Sequence, residues 1–151
     1  MRQPIQVLVY PVRHTVEGNW EYLLIRRIPS RGGFWQGVTG GVERNEDLVE
    51  AAARELIEET GLVPSDFRTI DYSYSFPVED RFRYLYPSGT DSITEHVFMA
   101  RITDEKEPEL SEEHDQYRWC KFDEALSLLR WPENIEALKR CNGVLTFGNR
   151  A

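Results

Sequence analysis

The sequence predicts one α/β domain in which a mixed sheet lies between helices. Three observations point there. Short β-branched runs bounded by Gly, Pro and Asn recur along the chain. Two longer stretches switch to the three-to-four-residue spacing of helices. The first two strands are close enough in sequence to form a hairpin, so the sheet is not purely parallel. A length of 151 residues suits a single domain, residues 1–151, large enough to bury a core.

Residues 5–12 (IQVLVYPV) read as a buried strand and residues 22–25 as a second. Between them, residues 14–19 end in Gly18-Asn19 and form the hairpin connection. His14 reads as a loop residue. Residues 29–33 are a loop and residues 34–39 a short extended piece that Gly40-Gly41 breaks. From residue 47 to 60 the pattern is helical: Leu48, Ala52 and Leu56 recur at four-residue steps with Val49 and Ala53 beside them. Gly61 stands where a C-terminal cap belongs. Residues 68–74 and 81–86 read as strands, Pro87-Ser88-Gly89 as a turn, and residues 93–102 as a returning strand. A charged loop covers residues 103–115, a last strand residues 117–122. Asp123 then caps a helix through Leu129. Pro132 interrupts, and a further helix covers residues 133–140.

Composition excludes several classes of function. With 40% hydrophobic and 29% charged residues the chain is globular rather than disordered. A net charge of −8 argues against a uniformly basic nucleic-acid-binding face, though it leaves a local basic patch open. It also suits polyphosphate badly, unless divalent cations stand between protein and phosphate. Cys120 and Cys141 have neither metal-ligand nor redox spacing and read as reduced thiols. Met1-Arg2-Gln3-Pro4 leads into no hydrophobic leader, and no run approaches the roughly 20 apolar residues that span a bilayer. A cytoplasmic protein without membrane partners is expected.

Chemistry concentrates in residues 40–62, GGVERNEDLVEAAARELIEETGL. Glu55, Glu58 and Glu59 stand at i, i+3 and i+4, so a helix brings their carboxylates to one face, which is expected opposite the Leu48, Ala52, Leu56 stripe. Like charges so placed cost a few tenths of a kcal/mol per pair, a cost that a divalent cation removes. Oxygen ligands select hard ions such as Mg²⁺ or Mn²⁺. The plainer interpretation is a solvated acidic face with Arg54 paired to Glu50 or Glu58.

The spacing of the whole segment decides against it. Gly40, Glu46, Arg54, Glu55, Leu56, Glu58, Glu59, Gly61 and Leu62 match every position of the box that defines the Nudix hydrolases, a chance event of about one in a million from residue frequencies. The chain therefore resembles the Nudix family. That resemblance implies an α/β/α sandwich around a mixed sheet, with the box as loop–helix–loop. It implies Mg²⁺, for which Mn²⁺ can substitute, held by Glu55, Glu58 and Glu59 with Glu46 and the Gly40 carbonyl. Arg54 would orient the glutamates. Water would then cleave a diphosphate linkage. Asn45 replaces a glycine frequent in the family, and Asn tolerates the left-handed backbone such a turn needs. In relatives the general base comes from the box or from a glutamate in a later loop. Glu113, in Ser111-Glu112-Glu113-His114, is the expected residue, also as a metal ligand, and Glu55 the alternative.

Outside the box, Phe34-Trp35-Gln36-Gly37-Val38-Thr39-Gly40, Arg26-Arg27, Arg83-Tyr84 with Pro87 and Thr94-Glu95, and Glu113-His114 with Tyr117 and Trp119 are similar to the dihydroneopterin triphosphate (or dATP) pyrophosphohydrolase branch. The implied reaction converts a triphosphate to a monophosphate and pyrophosphate. Trp35 offers a π face for a flat ring and Gln36 an amide that both donates and accepts; the alternative puts Phe34 and Trp35 in the core. Arg27 is expected on a distal phosphate. Arg81 and Arg83 alternate with Phe82 and Tyr84, giving the 81–86 strand a basic and an aromatic face. Rival substrates are a dinucleoside polyphosphate or an RNA 5′ end; the rival class is a non-catalytic ligand-binding module, which retention of every box glutamate argues against. The expected partner is a small di- or triphosphate, with a homodimer left open.

Overall fold

A sheet whose strands are apolar on both faces must be covered on both faces, and the sequence runs VLVYPV and YLLI are of this kind. The computed structural model describes residues 2–147. Met1 and residues 148–151, the ends of the expected 1–151 domain, lie outside them. The sheet has seven strands: β1 (Ile5–His14), β2 (Trp20–Arg27), β3 (Trp35–Gln36), β4 (Val38–Gly41), β5 (Asp66–Pro77), β6 (Ser92–Arg101) and β7 (His114–Cys120). Their order is β3-β2-β1-β6-β5, with β4 also paired to β1 and β7 to β2. The β1–β6 pair is parallel and the others antiparallel, so the sheet is mixed as expected.

Alternation divides the core in two. Val7, Val9, Leu23, Ile25, Val38, Phe98 and Ala100 pack under α1 (Leu48–Thr60), against Ala51, Ala52 and Leu56. Leu8, Tyr10, Tyr22, Leu24, Val97 and Met99 pack on the other face against α2 (Phe122–Leu128) and α3 (Pro132–Phe147). The result is an α/β/α sandwich. Among the described residues no helix is long and apolar enough to cross a membrane.

α1 begins and ends as its sequence directs. Asp47 and Glu50 form a reciprocal capping box, and Gly61 closes the helix at φ 70°. Ahead of it Asn45 takes φ 67°, the left-handed turn that the missing glycine would have supplied.

Several elements differ from expectation. Gly40-Gly41 does not break the extended segment, because β1 continues beside it and pairs through Gly41. Residues 81–86 are no strand: Asp80–Leu85 coils into a 3₁₀ helix. β5 pairs directly with β6 up to Pro77 and Ser92, so residues 78–91 are an excursion between the paired ends of these two strands. They close instead on a small core of Val78, Tyr86 and Ile93. The last strand is His114–Cys120, and Phe122 already belongs to α2. Lys121, not Asp123, occupies the N-cap of α2, with no side-chain capping bond. Pro132 starts α3, where its fixed φ suits a first turn. That helix runs beyond residue 140 because Cys141, Val144 and Leu145 keep the packing period past Gly143. His14 ends β1, its ring edge-on to Trp20.

Glu95 is the buried acid of the α3 side. The Tyr74 hydroxyl donates to it, and Asn134 Nδ2 donates to the Tyr74 oxygen at 2.9 Å. Burial pushes its carboxyl up to about 7, against the opposing hydrogen bond from Tyr74. Above the ordinary carboxyl value the unfolded chain has lost this proton while the folded chain keeps it, so stability falls as pH rises toward about 7. Urea midpoints measured across that window should fall less in Glu95→Gln than in the parent; equal slopes would show that Glu95 is ionised throughout.

Candidate active site

Arg54 gathers the box. Its Nε and Nη2 donate to the two oxygens of Glu46 at 2.8 and 2.9 Å, and Nη2 also donates to the Gly41 carbonyl at 2.8 Å. Nη1 donates to Glu55 at 2.7 Å and to Glu58 at 3.3 Å. The hydrogen bond from Arg54 holds the Glu46 carboxyl below its ordinary value. Glu55 goes the other way: burial pushes its carboxyl up to about 7, more than Arg54 lowers it, with Glu58 and Glu59 pushing in the same direction as burial. Gly40 faces Glu55 from β4, and a Cβ built there would lie 1.9 Å from the Glu55 carboxyl carbon. The second box position that demands glycine is thus explained by a carboxylate resting on the strand.

Glu59 belongs to a second group. Its Oε2 accepts from Ser111 Oγ at 2.7 Å and lies 3.0 Å from His114 Nδ1. Burial opposes ionisation of Glu59, but the contacts with His114 and Ser111 and the charge of Arg27 outweigh it and hold the carboxyl below its ordinary value. Donor atoms of Glu59, Glu113 and His114 all fall within 4.8 Å of one another. Glu113, its side chain 41% exposed, lies 3.3 Å from Arg31 Nη1.

A β-bulge makes this meeting possible. Ile25 pairs with Tyr117 and Arg26 with Gln116, but Arg27 pairs with His114, which leaves Asp115 as the extra residue of β7. Strict alternation from Trp119 and Tyr117 would have turned Asp115 toward α1; the extra residue substitutes His114. Arg26 pins the bulge by a two-pronged contact, Nε and Nη2 to the two Asp115 oxygens at 3.0 Å each.

Glu55, Glu58, Glu59, Gly40, Arg27, Arg31 and Glu113 line one cleft of about 610 Å³. Phe76, Val78, Phe82, Tyr86 and Ile93 add an apolar lining to the same cleft. The oxygen-rich wall, without a cysteine, fits a hard divalent cation. Gly40 also fits, since its missing side chain leaves the Glu55 carboxyl room beside the strand.

Glu46 is not among the residues that line the cleft: its Oε1 accepts from the Glu43 amide and Arg54, and its Oε2 from Arg54. Two expectations need correction. The glutamates do not stand opposite the apolar stripe: Glu55 and Glu59 are buried beside Leu56, while Val49 is exposed. Burial of Leu56 contributes roughly 1.5–3 kcal/mol and exceeds the few tenths lost per like-charge pair, so the helix face is set by packing. Trp35 and Gln36 do not act together either. Trp35 pairs with Arg26 and packs on the α2/α3 side under Arg118, outside the cleft. Gln36 pairs with Ile25, points to the α1 side and is buried against His114, with Nε2 3.1 Å from the ring Nε2. Arg31 and Phe76 are not singled out as site residues by the sequence, while Phe82 belongs to the 81–84 segment expected either to border the pocket or to cover the sheet edge, and it lines the cleft. Arg31 had a signal, a cation in the loop just after Arg26-Arg27.

A model of the Nudix domain matches residues 4–141. Among curated proteins, an octanoyltransferase of Myxococcus xanthus is 39% identical over 119 residues, covering 78% of this chain; the match spans only 31% of that protein. The dihydroneopterin triphosphate diphosphatase of Haemophilus influenzae is 34% identical over 111 residues, 71% of this chain and 70% of the relative. Among solved structures, a Nudix hydrolase of Listeria monocytogenes superposes with a TM-score of 0.82 at 29% identity, over 97% of each chain. With the box, the fold and these likenesses in agreement, the chain belongs to the Nudix family of hydrolases that act on phosphoric anhydrides.

Proposed function

We propose that this protein is a Mg²⁺-dependent pyrophosphohydrolase of a nucleoside or pterin triphosphate. The observation that carries this reading is a single cleft lined by carboxylates, arginines and aromatic side chains. A triphosphate ester of a flat ring, bound through a divalent cation, calls for these three kinds of lining. Likeness to the Haemophilus diphosphatase, over 71% of the chain, supports the same class.

In this reading Glu55, Glu58, Glu59 and Glu113, with the Gly40 carbonyl, hold the ion. Mg²⁺ or Mn²⁺ supplies charge neutralisation at the phosphates and eases deprotonation of water. The chain's own residues do the rest. Arg54 fixes the rotamers of Glu55 and Glu58, and Glu46 anchors Arg54. Arg27 and Arg31 bind the distal phosphates by charge-assisted hydrogen bonds. Glu113 accepts the proton of the attacking water. The water oxygen bonds to phosphorus as the bond to the bridging oxygen breaks, leaving a monophosphate and pyrophosphate. Phe82, 42% exposed at the rim, and Phe76 offer the face on which the flat ring rests. Such stacking tolerates both pterin and purine.

Incubation of a triphosphate panel with Mg²⁺, read by ³¹P NMR, should give pyrophosphate and monophosphate. Inorganic phosphate or symmetric products would transfer the reading to dinucleoside polyphosphates or RNA 5′ ends, and no turnover at all would favour a binding module. Glu59→Gln should lower kcat by more than a hundredfold; near-normal turnover at saturating Mg²⁺ would refute the assignment of the ion's ligands.

Ring recognition is tested by a pair of variants. Phe82→Ala should raise Kd for a non-hydrolysable triphosphate by about 5- to 150-fold, the equivalent of the roughly 1–3 kcal/mol of a base–aromatic stack. Trp35→Ala should lower the melting temperature and leave that Kd unchanged. The reverse pattern would return Trp35 to the binding site.

Glu113→Gln should lower kcat by about 10²- to 10⁴-fold, the range of a general base, with KM within a few-fold. The exposed neighbour Glu112, changed to Gln, is the control. A loss below tenfold in both would move the base to Glu55.

A further inference from the structure

The His114 ring is buried, its side chain only 2% exposed, and it is held from both sides. Gln36 Nε2 reaches ring Nε2 at 3.1 Å. An amide nitrogen can only donate, so Nε2 accepts and the ring proton sits on Nδ1. Nδ1 faces Glu59 Oε2 at 3.0 Å. That contact is an ion-pair approach and not an aligned hydrogen bond: Nδ1 is buried with no aligned partner, and an unmatched buried donor is costly, so Glu59 Oε2 is the acceptor within its reach. Ser111 Oγ donates to the same Oε2 at 2.7 Å. Both protein contacts therefore fall on one oxygen, which leaves Oε1 free of them.

We propose that Gln36 and His114 form a buried positioning pair, with Ser111 as third member, that turns Glu59 so that Oε1 is presented to the cation. His114 acts through Glu59 and does not touch substrate. The inference rests on the reading of Glu59 as a ligand of the ion and adds what orients it. It also explains why Gln36, on a two-residue strand at the sheet margin, is buried at 6% exposure while the adjoining Trp35 packs on the opposite face. The bulge at Asp115 serves the same end, since without it the ring would lie on the wrong side of β7.

The test is a Mn²⁺ titration of the whole chain followed by electron paramagnetic resonance, with melting curves of the metal-free variants alongside. Orienting partners of metal ligands typically contribute 10- to 100-fold in affinity. His114→Ala should therefore weaken Mn²⁺ at least about tenfold. His114→Asn places an amide N–H near the position of Nδ1 and should recover affinity to within about threefold of the parent. Gln36→Met keeps volume but removes the donor, and should weaken Mn²⁺ several-fold even if His114→Ala fails to fold. Unchanged Mn²⁺ affinity in Gln36→Met, or no recovery in a folded His114→Asn, would overturn the proposal while leaving the ion site standing. Absence of Mn²⁺ binding by the parent chain would overturn both.

Discussion

A single guanidinium joins three segments that would otherwise repel or drift. Arg54 bonds to Glu46 in the loop ahead of α1, to the Gly41 carbonyl at the end of β4, and to Glu55 and Glu58 on its own helix. Its planar fork can serve several acceptors from fixed directions, which a lysine cannot do. The consequence is a local hierarchy among the acids. Glu46, with both oxygens occupied, is spent on anchoring. Glu55 is partly neutralised and pressed against Gly40. Glu58 is held loosely at 3.3 Å with half its side chain exposed. Only Glu59 lies outside this set and draws its orientation from elsewhere.

Glu59 finds that orientation through the parity of the sheet. A strand turns alternate residues to opposite layers, and here the layers differ in kind: α1 and the cleft on one side, α2 and α3 on the other. Whether a residue reaches the cleft is thus decided by odd or even position and by bulges. Arg27 follows Leu23 and Ile25 onto the α1 face. Asp115 breaks the count in β7 and delivers His114 to the same face. Helix and sheet meet through side chains whose registers were set independently, and the bulge reconciles them.

This division also marks what the sequence could tell. The box indicated α1, its C-terminal cap at Gly61 and the turn at Asn45, because each depends on residues within a few positions of one another; the Asp47–Glu50 capping box is equally local but appears only in the structure. Arg27 and Glu113 were placed by their neighbourhood and do line the cleft. The errors came from long-range facts. Trp35 and Gln36, adjacent on a strand, cannot both face one ligand; period two forbade that pairing even before the structure. Residues 81–86 alternate as a strand would, but β5 and β6 pair with each other directly, and the segment between them coils into a 3₁₀ helix beside its own small core. Glu46 belongs to the box, yet its oxygens are engaged by Arg54 and the Glu43 amide, apart from the residues that line the cleft. His114 had no periodic signal, since a one-residue bulge leaves no mark in composition. α3 was expected to end at residue 140, but packing of Cys141, Val144 and Leu145 carries it on through Gly143, outweighing the roughly 1 kcal/mol helix penalty of glycine.

The carboxylate and aromatic linings of the cleft are built on separate supports. The carboxylate wall stands on α1 and β4, both anchored in the large core under the sheet. The aromatic lining stands on residues 76–93, whose Val78, Tyr86 and Ile93 form a small core of their own. Because that core is distinct from the two large ones, substitutions at Phe76 or Phe82 leave the packing under α1 in place. The acidic composition fits the same division. On the proposed reading, a net charge of −8 would repel a triphosphate, but the acids that line the cleft are the ones a divalent cation would recruit, with Arg27 and Arg31 beside them. The protein as a whole then need not attract its substrate; the cleft alone must, and only when the ion is present.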